Sequence, residues 1–220
     1  MRRPLGASRR RPRDARPPRR RGARPLRPLP ARRGQGPLRH RPPSGPHRPR
    51  RGGGLAPESI RFTTGCPHCG GTHGKPRLPG SDLDFSLSHS GDRVVLVLAE
   101  GAEVGVDVER ESDRDIDRLA EMVLTAAERD ALTAMADRRR GFHTYWSRKE
   151  ALLKATGHGL AAPMTSIHVS APDEPAAVVA WDGEAAVSPV RLTDLTPGPG
   201  YAAAAAVLTD RPLKVTEVTY

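Results

Sequence analysis

The apolar positions in the middle of the chain are spaced as β-strands require. Val94 to Ala99 is a continuous apolar run of strand length, and Val104 to Glu109 alternates valine with other residues. An alternation of period two places every second side chain on one face of a strand. The two runs are separated by the turn-forming pair Glu100-Gly101, so we predict that they pair as a hairpin. A shorter extended stretch, Phe85 to His89, precedes them.

Helical spacing replaces the strand pattern after residue 111. Apolar residues recur every three or four positions over residues 112–124, which predicts a helix with Ser112 as its N-cap. Thr125 is followed three residues later by a glutamate, which is the capping-box pattern of a second short helix. A long helix is predicted from Gly141 to Thr156, because Gly157 suits the left-handed position just beyond a helix C-terminus.

The end of the chain returns to short apolar runs divided by proline and glycine. These runs predict strands at Val178–Trp181, Ala186–Leu192 and Tyr201–Leu208. Helices and strands follow one another without the regular strand–helix–strand order of a parallel sheet. We therefore predict an α+β fold.

Charge divides the chain of 220 residues into two unlike parts. The formal net charge is +11, yet residues 1–55 hold 19 Arg and one acidic residue, whereas residues 56–220 carry −7. The first part also contains 12 Pro and no aromatic residue. It can bury too little apolar surface to offset the entropy of ordering its backbone, so we predict a disordered tract. The acidic remainder excludes a uniformly basic nucleic-acid-binding domain.

A nucleic-acid-binding function is an alternative that would have to rest on the arginine tract. Such a tract binds phosphates electrostatically and without sequence preference, and this one has no aromatic side chains for base stacking. We therefore expect no specific nucleic-acid partner. No apolar run approaches the ~20 residues of a membrane span, and no apolar segment of a signal peptide follows the basic start. We expect a cytoplasmic protein with no membrane partner.

The chain has two cysteines, Cys66 and Cys69, in the sequence Cys66-Pro-His-Cys69. A redox dithiol needs its first cysteine at a helix N-terminus, where the thiol pKa falls, but a glycine-rich loop follows here. A zinc knuckle is a second alternative, with Cys66, Cys69, His73 and also His68 as ligands of the usual types. We expect a loop with reduced thiols.

Asp107 and Glu109 are two positions apart in a predicted strand, so both carboxylates point to one face. Two such oxygen ligands can share one Mg²⁺, which prefers a few carboxylates together with phosphates and waters. The alternative is an exposed edge strand that carries two solvated acids. This pair alone does not decide between them.

Glu150 and Lys154 lie one turn apart on the long predicted helix, a spacing that also forms ordinary surface ion pairs. Lysine is scarce in this chain, at four against 32 Arg, and both Lys149 and Lys154 fall in this segment. A lysine is a compact, titratable point charge, which suits contact with a phosphate or transfer of a proton.

Taken together and in order, these motifs resemble a known family. They are Phe85-Ser-Leu-Ser-His-Ser90, Gly105-Val-Asp-Val-Glu109 and Trp146-Ser-Arg-Lys-Glu-Ala-Leu-Leu-Lys154, with Gly74-Lys-Pro76 upstream and Gly157-His-Gly159 downstream. The set is similar to that of the surfactin-type 4′-phosphopantetheinyl transferases, within the holo-carrier-protein synthase superfamily. The resemblance extends over about residues 60–210.

The resemblance implies an activity and a set of roles. Members of the family move the 4′-phosphopantetheine arm of coenzyme A to a serine of an acyl or peptidyl carrier protein and release adenosine 3′,5′-bisphosphate. The matched positions imply that Asp107, Glu109 and Glu150 hold Mg²⁺ and that Lys154 acts on the leaving phosphate. Glu150 would be a metal ligand, the base for the serine proton, or both.

The same matches imply contacts with coenzyme A. Lys75 and His89 fall at positions that contact its 3′-phosphate, with Ser88 beside them. Lys149 and Lys154 of the long helix are also assigned to coenzyme A. A cation and a hydroxyl on a loop are suitable partners for that dianion.

The family fold is a pseudo-two-fold pair of α/β subdomains, and we expect the first to be incomplete in this sequence. We expect a remnant of it at residues 56–103 and the second subdomain, with the magnesium motifs, at residues 104–220. We hypothesise that residues 1–55 are an out-of-frame translation, which would leave an unstable protein with apolar surface exposed. We further expect a monomer that serves secondary-metabolite biosynthesis.

Overall fold

Strands and helices are mixed along the chain in the way that an α+β fold requires. The computed structural model describes residues 56–66, 69–112, 115–159, 162–183, 186 and 189–219. The predictions for residues 1–55 lie outside this part. In chain order the described elements are β1 (Leu83–Ser90), β2 (Arg93–Glu100), β3 (Val104–Arg110), α1 (Ile116–Val123), α2 (Ala126–Ala134), α3 (Arg138–Thr156), β4 (Ile167–Val169), β5 (Val178–Trp181), β6 (Arg191–Asp194) and β7 (Tyr201–Val207). Among them, no helix combines the length and apolar character needed to cross a bilayer.

The strands pair in three small antiparallel sheets within the described residues: β1 with β2, β3 with β7 and then β6, and β4 with β5. The predicted hairpin of β2 with β3 is wrong. β2 folds back on β1 with Ser90 opposite Arg93, and β3 pairs with β7 so that Asp107 lies opposite Ala204. β3 is buried from Val104 to Val108. An isolated hairpin cannot bury a strand so fully, so the cover comes from β7 and from a helix that are distant in sequence.

The two short helices differ in how well their starts were predicted. The N-cap of α1 is Asp115 and not Ser112: the Asp115 side chain accepts a hydrogen bond of 3.2 Å from the backbone N–H of Arg118. The capping box of α2 is confirmed, since Thr125 and Glu128 each accept a hydrogen bond from the other's backbone N–H.

The long helix α3 begins earlier than the predicted Gly141, because the Asp137 side chain accepts a hydrogen bond of 3.0 Å from the backbone N–H of Arg140. Its predicted end is confirmed, with Gly157 in the left-handed region at φ 74°. The strands predicted at 178–181 and 201–208 are confirmed as β5 and β7. The strand predicted at 186–192 was placed too early, since β6 shares with it the last two residues alone.

Helix α3 lies on β3 and β7 across very small side chains. β7 contributes the buried alanines Ala202–Ala206. On β3, a Cβ atom added to Gly105 would lie 2.0 Å from the carbonyl oxygen of Ala151 and 2.3 Å from the nitrogen of Ala155. The helix backbone therefore rests directly on the strand, and this close approach sets the last turns of α3 beside Asp107.

Strand β1 is fastened to the edge of β3 by its own polar side chains. Asp84, Ser86, Ser88 and Ser90 accept hydrogen bonds of 2.8 to 3.3 Å from the backbone N–H groups of Val104, Val106, Val108 and Arg110, respectively. Side-chain oxygens thus satisfy the edge N–H groups that the backbone carbonyls of a neighbouring strand would otherwise satisfy. The alternation of β1 directs these four residues to one face.

The opposite face of the β1–β2 hairpin carries exposed apolar side chains. We call it the outer apolar face; it consists of Leu83, Leu87, Val94, Leu96 and Leu98. Val94 is 71% exposed and Leu96, directly opposite Leu87, is 55% exposed. At one end Phe62 packs on Phe85 with ring centroids 5.2 Å apart. A contiguous apolar sheet face of this kind is a surface that folded proteins usually cover.

Candidate functional site

The centre of the site is Asp107, in the middle of β3 and 3% exposed. Its Oδ1 accepts a hydrogen bond of 2.9 Å from the Ser88 hydroxyl and one of 2.7 Å from the Lys154 ammonium. The Lys154 Nζ also lies 3.0 Å from the Ser88 hydroxyl. Within the described residues, the second oxygen, Oδ2, is buried and has no hydrogen-bond partner. A buried carboxylate oxygen without a donor is costly unless a cation reaches it.

Glu150 supplies a second carboxylate from the facing turn of α3. Its Oε2 is likewise buried and without a hydrogen-bond partner among the described residues. Burial raises the pKa of Glu150, and the nearby charges of Asp107 and Glu109 raise it further, while the Lys154 ammonium opposes them. The helix therefore places a carboxylate that has one buried oxygen without a donor, in the described residues, in the field of two others.

Glu109 lies two positions along β3 from Asp107 and is half-buried. The Ser90 hydroxyl donates to its Oε2 at 3.2 Å, and the backbone N–H of Arg110 in turn donates to Ser90 at 3.0 Å. Both carboxylates of the strand are thus held by serines of β1. The prediction that the two lie on one face of a strand agrees with this arrangement.

These three acids fit a divalent cation. Among the described residues, Asp107 and Glu150 each keep one buried oxygen without a donor, while the Lys154 ammonium contacts the other oxygen of Asp107. The acids do not form a group whose ligand atoms lie within 4.8 Å of one another in the described part of the chain. Mg²⁺ tolerates such spacing, because it keeps several waters and binds few protein ligands directly.

The assignment of Lys149 to coenzyme A is wrong. Its side chain is 0% exposed, and the ammonium donates to the carbonyls of Val123 and Met164 and to Glu128 Oε2, at 2.9, 3.1 and 2.5 Å. These contacts use the three donors that an ammonium has. Burial lowers the pKa of Lys149, and the charge of Glu128 opposes that shift. The residue holds α3 to α2 from inside the core.

Lys75, Ser88 and His89 are not brought to one point. The Lys75 ammonium contacts Asp84 and donates to the Val104 carbonyl at 2.8 Å. Asp84 and Ser88 are four positions apart on β1, which is roughly 13 Å along a strand. Ser88 faces β3, whereas His89 follows it on the opposite, exposed face. One phosphate cannot contact all three in this arrangement.

A match to a family model covers residues 103–206, and its description is 4′-phosphopantetheinyl transferase superfamily. These residues include β3, which carries Asp107 and Glu109, and α3, which carries Glu150 and Lys154. This part of the chain is similar to the 4′-phosphopantetheinyl transferase superfamily.

Individual members of the superfamily are similar to the chain over different lengths. The 4′-phosphopantetheinyl transferase AcpT of Salmonella typhi is 39% identical over 106 residues, which are 46% of this chain and 55% of that protein. The 4′-phosphopantetheinyl transferase Sfp of Bacillus subtilis is 28% identical over 175 residues, or 76% of this chain and 71% of that protein. The crystal structure of the Thermotoga maritima holo-[acyl-carrier-protein] synthase covers 50% of this chain and 64% of its own, with 23% identity and a TM-score of 0.42. The chain spans about half the length of the first relatives that it matches.

Two residues that build the site were not among the predicted site residues. Ser90 was not singled out, although it holds Glu109 through its hydroxyl. Gly105 was noted for its motif and not for the helix that lies on it. A detectable signal existed for the first: the alternation of Asp84 with three serines through Ser90 is a polar stripe on one face of a strand.

Proposed function

We propose that the chain transfers the 4′-phosphopantetheine group of coenzyme A to a serine of an acyl or peptidyl carrier protein. The observation that supports this most directly is the pair of buried, unpartnered oxygens, Asp107 Oδ2 and Glu150 Oε2, beside the Lys154 ammonium. An anionic pocket of this kind attracts a divalent cation, and a cation there would draw in a pyrophosphate. The superfamily match over residues 103–206 supports the same reaction.

Asp107, Glu109 and Glu150 would hold Mg²⁺. When bound, Mg²⁺ neutralises charge on the pyrophosphate oxygens and orients the group to be transferred. The oxygens that Asp107 and Glu150 leave without donors are the ones we assign to the metal, directly or through its waters.

The reaction forms a bond between the serine oxygen and the phosphorus next to pantetheine. The bond from that phosphorus to the bridging oxygen of the pyrophosphate breaks, and adenosine 3′,5′-bisphosphate leaves. A carboxylate with a raised pKa is a suitable acceptor for the serine proton, which is the role we assign to Glu150. The Lys154 ammonium, whose side chain is 27% exposed, faces the leaving phosphate and stabilises its charge.

We assign the contacts of coenzyme A to Lys75, Ser88 and His89 at separate points and not around one phosphate. His89 is exposed and free to meet the adenosine phosphates, and Ser88 lies beside Lys154 and the pyrophosphate position. Lys75 lies at the far end of β1, against Asp84. We also propose that the protein acts as a cytoplasmic monomer in secondary-metabolite biosynthesis.

The decisive experiment incubates the full chain with coenzyme A, Mg²⁺ and an apo carrier protein and measures the intact mass of the carrier. We expect a gain of one phosphopantetheine group, abolished by a chelator and by Asp107→Ala. Asp130→Asn, an exposed acid on α2, is the matched control and should retain activity. No mass gain with a fatty-acid, a polyketide and a peptide carrier protein would contradict the proposal.

A further inference from the structure

The loop that connects Thr63 with Arg77 brings together a group of side chains with no part in the transfer reaction. Thr63 and Arg77 exchange backbone hydrogen bonds of 3.0 and 2.9 Å, which close the loop at its base. Cys66, Cys69 and His73 lie within it, and their ligand atoms all lie within 4.8 Å of one another. Within the described residues, these three side chains form a group compact enough for one metal ion.

The spacing of the three ligand atoms suits a tetrahedral zinc ion. Zn–S and Zn–N bonds of ~2.3 and ~2.0 Å place tetrahedral ligand atoms roughly 3.5 to 3.8 Å apart. The Cys69 Sγ and the His73 Nε2 are 3.0 Å apart and face each other directly. This distance is shorter than the tetrahedral spacing, so the two side chains would move apart to admit the ion.

Glycines shape the loop around these ligands. Gly70, directly after Cys69, has a φ of 71°, and its N–H donates to the Cys66 carbonyl at 2.9 Å, which holds the backbone of Gly70 against that of Cys66. A Cβ on Gly71 would lie 3.0 Å from the His73 ring and 3.3 Å from the Cys69 sulfur. The backbone therefore lies directly beneath the ligand atoms.

The end of the loop is equally constrained. A Cβ on Gly74 would lie 2.4 Å from the carbonyl oxygen of Gly65, and the Gly74 N–H donates to the Thr64 carbonyl at 2.8 Å. The two sides of the loop are thus in backbone contact on either side of the ligands. Lys75 follows immediately, so whatever fixes His73 also fixes the start of the segment that reaches Asp84.

We propose that Cys66, Cys69 and His73 bind one Zn²⁺, which holds the 63–77 loop in its folded form. Two thiolates and an imidazole are donors that suit zinc. Magnesium and calcium prefer oxygen ligands instead. Three protein ligands leave the fourth position to water or another donor. The cysteines are deprotonated on binding, so two protons are released. The site is separate from the carboxylate cluster and does not depend on the proposed transferase activity.

The test uses the full chain, purified without a histidine tag and dialysed against a weak chelator. Zinc is measured by elemental mass spectrometry, and free thiols are titrated with and without a strong chelator. We expect about one zinc per chain, with two thiols that react only after the chelator is added. Cys69→Ser and His73→Ala should each lower the zinc content to about a tenth or less.

A control variant and a probe metal separate this site from other binding. His168→Ala, on the short strand β4, should retain its zinc. Zinc that persists in Cys69→Ser would be bound elsewhere, and the proposal would be wrong. Replacement by Co²⁺ should give the charge-transfer absorption of thiolate ligands in the unaltered chain and not in Cys69→Ser. A metal-free protein with two freely reactive thiols, or with both thiols in a disulfide, would overturn the proposal.

Discussion

Lys154 on α3 donates a hydrogen bond of 2.7 Å to Asp107 on β3, and this contact joins the helix to the strand at the acidic cluster. The ammonium takes one oxygen of Asp107 and leaves the other buried without a donor. Among the described residues, the ammonium thus balances the charge of Asp107 only in part. The remaining negative charge would attract a divalent cation, and the bound cation would in turn attract a pyrophosphate.

Lys154→Met tests this charge balance. The variant removes the ammonium, so the acidic cluster should lose stability in metal-free buffer, and Mg²⁺ should restore part of it by replacing the missing charge. We expect Mg²⁺ to raise the Tm of Lys154→Met by several degrees more than that of the unaltered chain. We also expect transferase activity to fall by roughly 10²–10³-fold, as when one donor to a developing charge is removed.

Lys75→Met is the matched control for that experiment, because its ammonium contacts Asp84 and not Asp107. Its Tm should respond to Mg²⁺ as the unaltered chain does. Equal Mg²⁺ responses in all three proteins, measured by calorimetry, would show that Lys154 does not balance a metal-binding cluster.

Gly105→Ala should damage both stability and activity. The added methyl would lie 2.0 Å from the carbonyl oxygen of Ala151, which is helix backbone and cannot move alone. Overpacking of this kind costs about 1–3 kcal/mol, and the shift of α3 would separate Glu150 from Asp107. Denaturant unfolding measures the first effect and carrier-protein modification the second. Gly65→Ala, where the added atom meets nothing within 4 Å, is the matched control. A Gly105→Ala protein as stable as this control would contradict the close contact.

The residues of the candidate site could be predicted from the sequence better than the strand that pairs with β3. Asp107 and Glu109 could be placed on one face because strand alternation is a local property, and Glu150 and Lys154 because helix periodicity is local too. The pairing of β3 with β7 could not be predicted in this way. It places Asp107 opposite Ala204, and no short-range pattern encodes a contact between residues so far apart in the sequence. Propensity alone cannot choose between β2 and β7 as the neighbour of β3.

Lys149 shows the opposite failure, in which a rule of composition was misleading. Because lysine is scarce among the arginines of this chain, Lys149 was predicted to contact a phosphate. In the fold it is the buried counterion of Glu128. Whether a charged residue points into the core depends on the elements packed around the helix, and those were unknown. The neighbouring Arg148, also 0% exposed, binds Asp194 and three backbone carbonyls in the same way.

Lys149→Met should therefore destabilise the protein without changing its affinity for coenzyme A. Removal of one member of a buried ion pair leaves Glu128 uncompensated and costs about 3–5 kcal/mol. The double variant with Glu128→Gln should lose less than the sum of the two single changes. Denaturant unfolding gives the free energies, and the folded fraction should show an unchanged KM for coenzyme A. Arg77→Met, which breaks an exposed pair with Glu103, is the control and should cost at most about 1 kcal/mol. A raised KM for coenzyme A in Lys149→Met would show instead that Lys149 takes part in coenzyme A binding.

The outer apolar face leads to a prediction about behaviour in solution. Leu87 and Leu96 lie opposite each other near its centre and are 56% and 55% exposed. Because exposed apolar sheet surface binds hydrophobic dyes and promotes association, the purified chain should enhance the fluorescence of such a dye and self-associate as its concentration rises.

Leu87→Thr combined with Leu96→Thr should reduce both effects severalfold while the transferase activity is kept, because threonine retains the strand preference and these side chains point away from Asp107. Light scattering and dye titration are the measurements. Val179→Thr replaces a single exposed apolar residue on β5, 59% exposed and outside this face, and should change neither. If the double variant binds as much dye as the Val179 control, the dye must bind at another surface, and the outer apolar face would have to be covered in solution.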